Sequence, residues 1–415
     1  MTIPRLPVAP APGNMFVDFE ERVNFDRLRA YRIGRIQEAL EQSELGAVLV
    51  FDNNNIRYLT GIAIGEWTRE KLSRYAIYTR TGELILWDFG SAAVHNRMYA
   101  PWMKPENCLS SWTTMRGAVP PGDLMANAVR EIKGRLEDAG VGGMPIGVDI
   151  VDLPMLTELG RQGIDVRDGQ QTMLDARQIK NRDEITLLSM AASMVDGVYQ
   201  DIVEALKPGV RENEIVALAN KRLYEMGSDD VESINAVSGE RCNPHPHNFS
   251  DRMIRPGDQA FFDIMHSFNG YRTCYYRTFA VGKSTQPQRD AYVRAREWMD
   301  VAIQAIKPGV STSDVALLWP TAQEIGMNDE KEAFGLLFGH GLGLALHERP
   351  IISRLSSLDS PMQIQEGMVF ALETYCPATD GVSAARIEEE VVVTADGCEV
   401  LTKFPADELF VTNKY

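Results

Sequence analysis

The stretch that most constrains the fold is residues 256–282, PGDQAFFDIMHSFNGYRTCYYRTFAVG. Two β-rich runs flank Asn269-Gly270, a dipeptide that favours a two-residue hairpin turn. Such a turn makes Asp263 on the first strand face Tyr276 on the second. Asp263 and Cys274 then lie on one face as diagonal neighbours, roughly 7–8 Å apart. The sequence therefore predicts a hairpin whose carboxylate and thiol can reach one ion or substrate atom.

Histidines concentrate in the second half of the chain, where five of the six lie between His245 and His347. His245 and His247 lie in a Pro-rich loop, which can be neither regular helix nor central strand. His340 and His347 follow later, among glycines that let the backbone approach a ligand closely. Imidazole titrates near neutrality and is a common metal ligand, so the sequence predicts proton transfer or metal binding here.

Two acidic side chains lie in apolar, β-type runs near the end of the chain. Glu373 is the single acid within residues 367–375, and Glu388 follows Arg386 in the run 384–394. An unpaired acid is costly to bury. The sequence therefore predicts that Glu373 is a ligand or is hydrogen-bonded.

The composition excludes several classes of protein. Apolar residues make up 44% of the chain and charged residues 24%, which is ordinary for a globular protein. The net charge of −16 argues against a nucleic-acid or anionic-membrane partner. No stretch approaches the roughly 18 apolar residues of a membrane span, and the Pro-rich start lacks the apolar core of a signal peptide. With five cysteines and no CxxC pair, a cytoplasmic protein without a disulfide framework is expected.

The length of 415 residues favours two domains. Residues 22–44 and 122–139 carry helical patterns beside short apolar strands, which predicts an α/β layer in the N-terminal part. The polar segment 175–182 precedes a long amphipathic helix and marks the predicted domain boundary. Beyond it, the motif Lys-Pro-Gly-Val occurs at 207–210 and again at 307–310, each time between two helices. The repetition predicts two related halves within one domain.

These motifs, in this order, resemble the pita-bread (M24 peptidase-like) family, which includes Xaa-Pro aminopeptidase, prolidase and creatinase. The markers are Asn55-Ile-Arg-Tyr58, Pro256-Gly-Asp258, Asp263, Gly270-Tyr271, Arg277-Thr-Phe279, Gly339-His-Gly341, His347-Glu348, Glu373 and Arg386-Ile-Glu388. The resemblance covers nearly the whole chain and implies an α/β (α+β) fold. A creatinase-like N-terminal domain over residues 1–175 would precede a pseudo-two-fold pita-bread catalytic domain over residues 176–415. The N-terminal half is most similar to the dimethylsulfoniopropionate lyase of this fold.

The resemblance also implies a metal site. In the metallopeptidases of this family, two aspartates, one histidine and two glutamates hold a pair of divalent ions. The matching positions here are Asp263, Cys274, His340, Glu373 and Glu388. Cys274 takes the place of the bridging aspartate, and a thiolate is a softer ligand that favours zinc or iron. Two alternatives stay open: one divalent ion (zinc, iron or manganese), or a metal-free site like that of creatinase.

Catalytic roles follow from the same resemblance. His247 or His245 matches the substrate-side histidine that transfers a proton to a leaving nitrogen, and His247 is favoured. Glu373 would be the general base for an attacking water. His340 would be a metal ligand or, without metal, a proton shuttle.

Substrate contacts are expected from a further set of side chains: His245, His347, Arg386, Trp67, Arg74 and Tyr271. His347 would hold a substrate carbonyl or carboxylate. Arg386 would either orient Glu388 or pair with a substrate carboxylate. Trp67 and Arg74 would reach a neighbouring subunit's pocket, as similar loops do in creatinase, and a homodimer is therefore expected.

Three functions compete. The first is a hydrolase of the creatinase or Xaa-Pro peptidase type that cleaves a C–N bond in a small molecule or dipeptide, with water activated by Glu373. The second is a lyase that abstracts a proton, like the dimethylsulfoniopropionate lyase. The third is a non-catalytic binding module on a peptidase fold, against which the retained His340, Glu373 and Glu388 argue.

Overall fold

The computed structural model describes residues 23–63, 71–112, 119 and 121–414. The helices are α1 (Phe25–Glu41), α2 (Asn53–Thr60), α3 (Gly90–Tyr99), α4 (Leu124–Asp138), α5 (Leu153–Arg161), α6 (Gln170–Arg177), α7 (Arg182–Ala205), α8 (Glu212–Met226), α9 (Gln286–Ala305), α10 (Thr312–Leu317) and α11 (Glu330–Ala333). The strands are β1 (Ala47–Val50), β2 (Tyr75–Thr79), β3 (Leu84–Asp88), β4 (Cys108–Ser110), β5 (Ile146–Val148), β6 (Val166–Asp168), β7 (Asp230–Ser238), β8 (Gln259–Phe268), β9 (Tyr271–Val281), β10 (Phe338–Gly341), β11 (Glu348–Ile352), β12 (Val369–Pro377), β13 (Ala384–Val393), β14 (Cys398–Val400) and β15 (Phe410–Thr412). Among these helices, none is long and apolar enough to cross a membrane.

Contacts between residues divide the chain into two compact units, Asn24–Arg177 and, for the described remainder, Gln178 onward. The predicted boundary between residues 175 and 176, taken as the border of two independently folding domains, stays a prediction.

The N-terminal unit is a six-stranded sheet with the strand order β4-β3-β2-β1-β5-β6. β2 pairs with β1 and with β3 in antiparallel fashion, whereas β1–β5, β5–β6 and β3–β4 are parallel. The strands β1, β2 and β3 are almost entirely buried and apolar, because helices cover the sheet. The α/β layer predicted for this part of the chain is confirmed.

The C-terminal unit contains two sheets, ordered β15-β9-β8-β7 and β11-β10-β12-β13-β14. α7 and α8 pack against the first sheet, and α9 packs against β12 and β13 of the second. Sequential helices followed by antiparallel strands therefore occur twice, which is the predicted pseudo-two-fold arrangement.

The repeated Lys-Pro-Gly-Val motif makes the same contacts in both halves. The Gly209 amide donates to the Ile254 carbonyl at 2.9 Å, and the Gly309 amide donates to the Ile364 carbonyl at 2.9 Å. Both glycines have positive φ, +96° and +88°, which a residue with a Cβ rarely adopts. The prediction that this motif marks two related halves is confirmed.

Gly341, at the end of β10, allows a close approach between backbones in the second sheet. The pairing of β10 with β11 shifts register between His340 and Gly341. A Cβ added to Gly341 would lie 2.2 Å from the Arg349 carbonyl oxygen. The backbones therefore approach each other more closely than any side chain allows.

We predict that Gly341→Ala lowers the free energy of unfolding by about 1–3 kcal/mol, because the added methyl group has no room. Thermal unfolding followed by circular dichroism measures the change. The matched control is Gly197→Ala in α7, where the added Cβ meets only Met226 Sδ at 3.7 Å. It should leave the stability equal or higher, since alanine favours helix over glycine. An equal loss in both variants would contradict the prediction.

Candidate active site

The β8–β9 hairpin has the register predicted from Asn269-Gly270. Asp263 pairs with Tyr276, and Met265 pairs with Cys274. Residues that face each other across antiparallel strands lie on the same side of the sheet. Asp263 and Cys274 accordingly meet, with Cys274 Sγ 3.5 Å from Asp263 Oδ1.

The second sheet brings His340, Glu373 and Glu388 to one place. Glu373 on β12 pairs directly with Glu388 on β13, and β10 lies on the other side of β12. His340 Nε2 lies 3.7 Å from Glu373 Oε1 and 3.9 Å from Glu388 Oε1. All three side chains are buried.

Cys274, His340 and Glu388 form a group that could hold a metal ion. One ligand atom of each lies within 4.8 Å of the others. Neither His340 Nε2 nor either carboxylate oxygen of Glu388 has a hydrogen-bond partner among the described residues. Buried polar atoms are almost always hydrogen-bonded, so three unpartnered atoms at one point fit a bound cation.

The orientation of His340 supports the same interpretation. Its Nδ1 lies 3.1 Å from the Gly341 carbonyl oxygen, which can only accept a hydrogen bond. Nδ1 therefore carries the proton, and Nε2 presents its lone pair to Cys274 and Glu388. Burial, followed by the charge of His347, lowers the pKa of His340 to about 3, which keeps the imidazole neutral. A set of one sulfur, one nitrogen and one carboxylate fits zinc or iron.

The electrostatics of the group are dominated by buried negative charge. Burial, with neighbouring carboxylates, raises the pKa of Glu388 well above its usual range. Burial also raises the pKa of Glu373 to about 8, although the positive charge of Arg386 opposes the rise. The pKa of Asp263 is raised by burial and lowered in part by Arg386. Three carboxyl groups share one arginine, so a divalent cation would remove most of the remaining cost of ionising them.

Arg386 is the buried cation of the site. Its Nη2 donates to Glu373 Oε2 and, at 2.6 Å, to the Gly335 carbonyl oxygen. Its guanidinium carbon lies 4.1 Å from the centre of the Tyr276 ring. Nε and Nη1 have no hydrogen-bond partner in the part of the chain that the structure describes. Arg386 thus holds one oxygen of Glu373, and two of its buried donor groups remain without a partner among the described residues.

A cavity of about 370 Å³ opens onto these groups, a volume suited to a small molecule. The lining residues are Asn235, His247, Asp263, Met265, Cys274, Tyr276, Phe334, Gly335, Phe338, Leu346, His347, Ile351, Glu373 and Arg386. One part of the wall is therefore polar and carries the acids, and another part is apolar and partly aromatic.

The two loop histidines occupy different positions. His247 is exposed, lines the cavity and has φ of +50°. His245 is buried behind it, with the two ring centres 3.9 Å apart, and its Nε2 lies 3.0 Å from the Tyr276 hydroxyl. Desolvation, then the charge of Arg386, lowers the pKa of both rings. His347 is exposed and lines the cavity, with its ring centre 4.4 Å from that of His340.

Of three further residues expected at the substrate, two have described surroundings. Trp67 lies outside the described residues. Arg74 is buried in the N-terminal unit, where its Nε lies 3.3 Å from Asp88 Oδ2, so its charge is paired there. The Tyr271 hydroxyl donates to Glu184 at 2.7 Å, a contact with helix α7.

Asn235 was not among the residues predicted for the site, and Tyr276 was predicted only as the residue opposite Asp263 in the hairpin. Asn235 on β7 pairs with Asp263 on β8, and its Nδ2 donates to Asp263 Oδ2 and to the Tyr276 hydroxyl, each at 3.0 Å. The signal for Tyr276 was present in the hairpin register, which places it opposite Asp263. Tyr271 is an odd number of residues away and therefore points to the other face of the strand.

The comparison with known protein families matches this architecture. Residues 186–395 match the metallopeptidase family M24, and residues 32–150 match the creatinase/prolidase N-terminal domain. The first match covers about half of the chain, and the chain belongs to metallopeptidase family M24.

The relatives include proteins named as dipeptidases and proteins named as dimethylsulfoniopropionate lyases. The putative dipeptidase YkvY of Bacillus subtilis is 34% identical over 246 residues, which are 57% of this chain and 64% of that protein. The dimethylsulfoniopropionate lyase DddP of Roseovarius nubinhibens is 25% identical over 402 residues, or 92% of this chain and 87% of that protein. The structure of an Xaa-Pro dipeptidase from Bacillus anthracis superposes with a TM-score of 0.73 at 20% identity, covering 92% of this chain and 99% of that one. This last likeness shows the fold alone.

We predict that Cys274→Asp raises the bound divalent metal towards two ions per chain and shifts the preference from zinc towards manganese. A carboxylate offers two hard oxygens that can bind separate ions, whereas a single thiolate favours a soft ion. Elemental analysis after dialysis against each metal measures the content. The control is Cys398→Asp, on β14 away from the ligand group. An unchanged metal content in Cys274→Asp would show that this ligand does not set the occupancy.

Proposed function

We propose that the protein is a hydrolase that cleaves a C–N bond in a dipeptide or another small molecule, of the creatinase or Xaa-Pro peptidase type. Membership of family M24 and the dipeptidase names of relatives support hydrolysis. The observation that carries the proposal is the position of Glu373. It is a buried base beside the unpartnered ligand atoms, in the same cavity as His247.

Glu373 accepts the proton of the attacking water. Arg386 holds Oε2, so Oε1 is the oxygen available for this step. A pKa of about 8 lies close to working pH, which is the range in which a general base is most effective. The apolar part of the cavity wall limits the access of other water to this carboxylate.

His247 protonates the departing nitrogen. It is the loop histidine that lines the cavity, whereas His245 lies behind it. Desolvation, followed by the positive charge of Arg386, lowers the pKa of His247, so that its protonated form gives up the proton readily. Arg386 lines the cavity and would pair with a substrate carboxylate, and His347 would contact the substrate at the cavity wall.

A metal ion fits this mechanism. Cys274, His340 and Glu388, together with Asp263 beside the Cys274 thiol, would hold one divalent ion, zinc or iron by preference and manganese as the harder alternative. When bound, such an ion supplies Lewis-acid polarisation of the carbonyl and lowers the pKa of water. A metal-free version stays open, in which His340 shuttles a proton.

A second candidate is a lyase that removes a proton beside a carboxylate and expels a leaving group. The similarity to DddP over 92% of the chain favours it. Glu373 would again be the base, and Arg386 would hold the carboxylate of the substrate.

We predict that Glu373→Gln lowers kcat by roughly 10²–10⁴-fold, the effect of losing a general base. KM should change far less, because the amide keeps the shape and still accepts one hydrogen bond. His247→Asn should be similarly damaging, and His245→Asn milder. The wild type is screened against Xaa-Pro and other dipeptides, creatine-like amidines and dimethylsulfoniopropionate, and the variants are assayed on the compound that is turned over.

The control is Glu399→Gln, the same substitution at an exposed position on β14, which should keep wild-type kcat. Near-normal turnover by Glu373→Gln would reject the mechanism. An unsaturated acid among the products would move the assignment to the lyase.

We also propose that the protein is cytoplasmic, as its cysteine pattern predicted, and a homodimer, as the resemblance to creatinase suggested. Light scattering should then give twice the mass of one chain. A monomer with full activity would exclude any contribution of Trp67 or Arg74 to a neighbouring subunit's pocket.

A further inference from the structure

Tyr276 lies in a row of polar side chains that crosses the first sheet. Asn235 on β7 pairs with Asp263 on β8, and Asp263 pairs with Tyr276 on β9. All three therefore lie on the cavity side of the sheet, and all three line the cavity. Tyr276 is nevertheless only 1% exposed, so its contacts within the protein determine what it does.

The hydroxyl of Tyr276 receives two hydrogen bonds. Asn235 Nδ2 donates one at 3.0 Å. The other comes from His245, whose Nδ1 accepts a hydrogen bond from the His247 amide at 3.4 Å. The proton of that ring is therefore on Nε2, which lies 3.0 Å from the Tyr276 oxygen.

With both lone pairs occupied, the hydroxyl has one proton left to donate. Its acceptor is Asp263, since hydrogen bonds from Tyr276, Cys274 and Asn235 all reach that carboxylate. Asp263 is thereby fixed beside the Cys274 thiol. The orientation of a metal ligand commonly depends on such an outer contact.

The ring of Tyr276 makes a separate contact. The guanidinium carbon of Arg386 lies 4.1 Å from the ring centre, a distance typical of a cation over an aromatic face. Nη2 of Arg386 is engaged with Glu373 and Gly335, while Nε and Nη1 have no partner within residues 178–414. The ring therefore determines where those two donors point.

We propose that Tyr276 is the positioning residue of this site, with two separable parts: its hydroxyl fixes Asp263 beside the metal ligands, and its ring fixes Arg386 for the substrate. The second part rests on the proposed function, whereas the first concerns metal binding and is independent of turnover. A tyrosine that only filled the core would need neither the two donors on its oxygen nor the guanidinium on its face.

Two substitutions separate the parts. Tyr276→Phe keeps the ring and removes the hydroxyl, so the dissociation constant for zinc should rise roughly 10- to 100-fold, as for other outer-shell changes, and kcat should fall. KM should stay within about twofold, because the ring still holds Arg386. Tyr276→Leu removes both parts and should in addition raise KM roughly 2- to 30-fold. Tyr276→Met replaces Tyr276→Leu if the latter does not fold, because methionine fills irregular gaps.

Tyr271→Phe is the matched control, because it removes a hydroxyl from the same strand at a point where Glu184 accepts its hydrogen bond. It should keep the wild-type zinc affinity, measured by competition with a chromophoric chelator. Wild-type zinc affinity in Tyr276→Phe, or a wild type that binds no zinc, would overturn the role of the hydroxyl. Equal KM values in Tyr276→Phe and Tyr276→Leu would overturn the role of the ring. If the wild type turns over neither dipeptides nor creatine-like amidines, the proposed function and the role of the ring fail together, while the zinc affinity still decides the role of the hydroxyl.

Discussion

The constraint on which the catalytic unit depends is the burial of three carboxyl groups around one arginine. Asp263, Glu373 and Glu388 are each at most 3% exposed, and Arg386 is 1% exposed. A buried charge is tolerated only where it is paired and hydrogen-bonded. Arg386 pairs directly with Glu373 alone, so the remaining negative charge needs either protons or a cation. The raised pKa values of the three carboxyl groups correspond to protonation. The ligand atoms without a hydrogen-bond partner fit a bound cation.

The alternation of side chains along β13 makes this arrangement compatible with a stable fold. Glu388 points towards His340, whereas Glu389 points to the opposite side of the strand and pairs with Arg277 at 2.9 Å. Arg277 also donates to the carbonyl of Glu388 at 2.6 Å, so β9 and β13 are joined through it. Glu390 returns to the site side and accepts a hydrogen bond from the Cys274 amide at 2.7 Å. Because side chains alternate along a strand, Glu388 and Glu390 face the site, and Glu389 makes an ion pair on the other side.

Much of this arrangement could be predicted because it depends on local rules. Asn269-Gly270 determines the hairpin register, and the register places Asp263 beside Cys274. Which groups neutralise the buried acids depends on contacts between strands that are distant in sequence. No short stretch of sequence reveals these contacts. The contact of Arg386 with the Tyr276 face is of this kind. Tyr271 lies an odd number of residues from Tyr276 on β9, so it points to the other face of the strand, where its hydroxyl contacts Glu184.

The hydrogen bond between Arg386 and Glu373 bears on the choice between hydrolysis and elimination. A substrate carboxylate paired with Arg386 would lie near Glu373, because Glu373 contacts the same guanidinium. The base is therefore suited to an α-proton as well as to a water molecule, and its identity does not separate the two reactions. The ligand group bears on the choice. His340 Nε2 lies 3.7 Å from Glu373 Oε1 and 3.9 Å from Glu388 Oε1, so a water held by these groups would face the oxygen of Glu373 that Arg386 leaves free. This position supports the proposed hydrolysis, since an elimination needs a base but no attacking water.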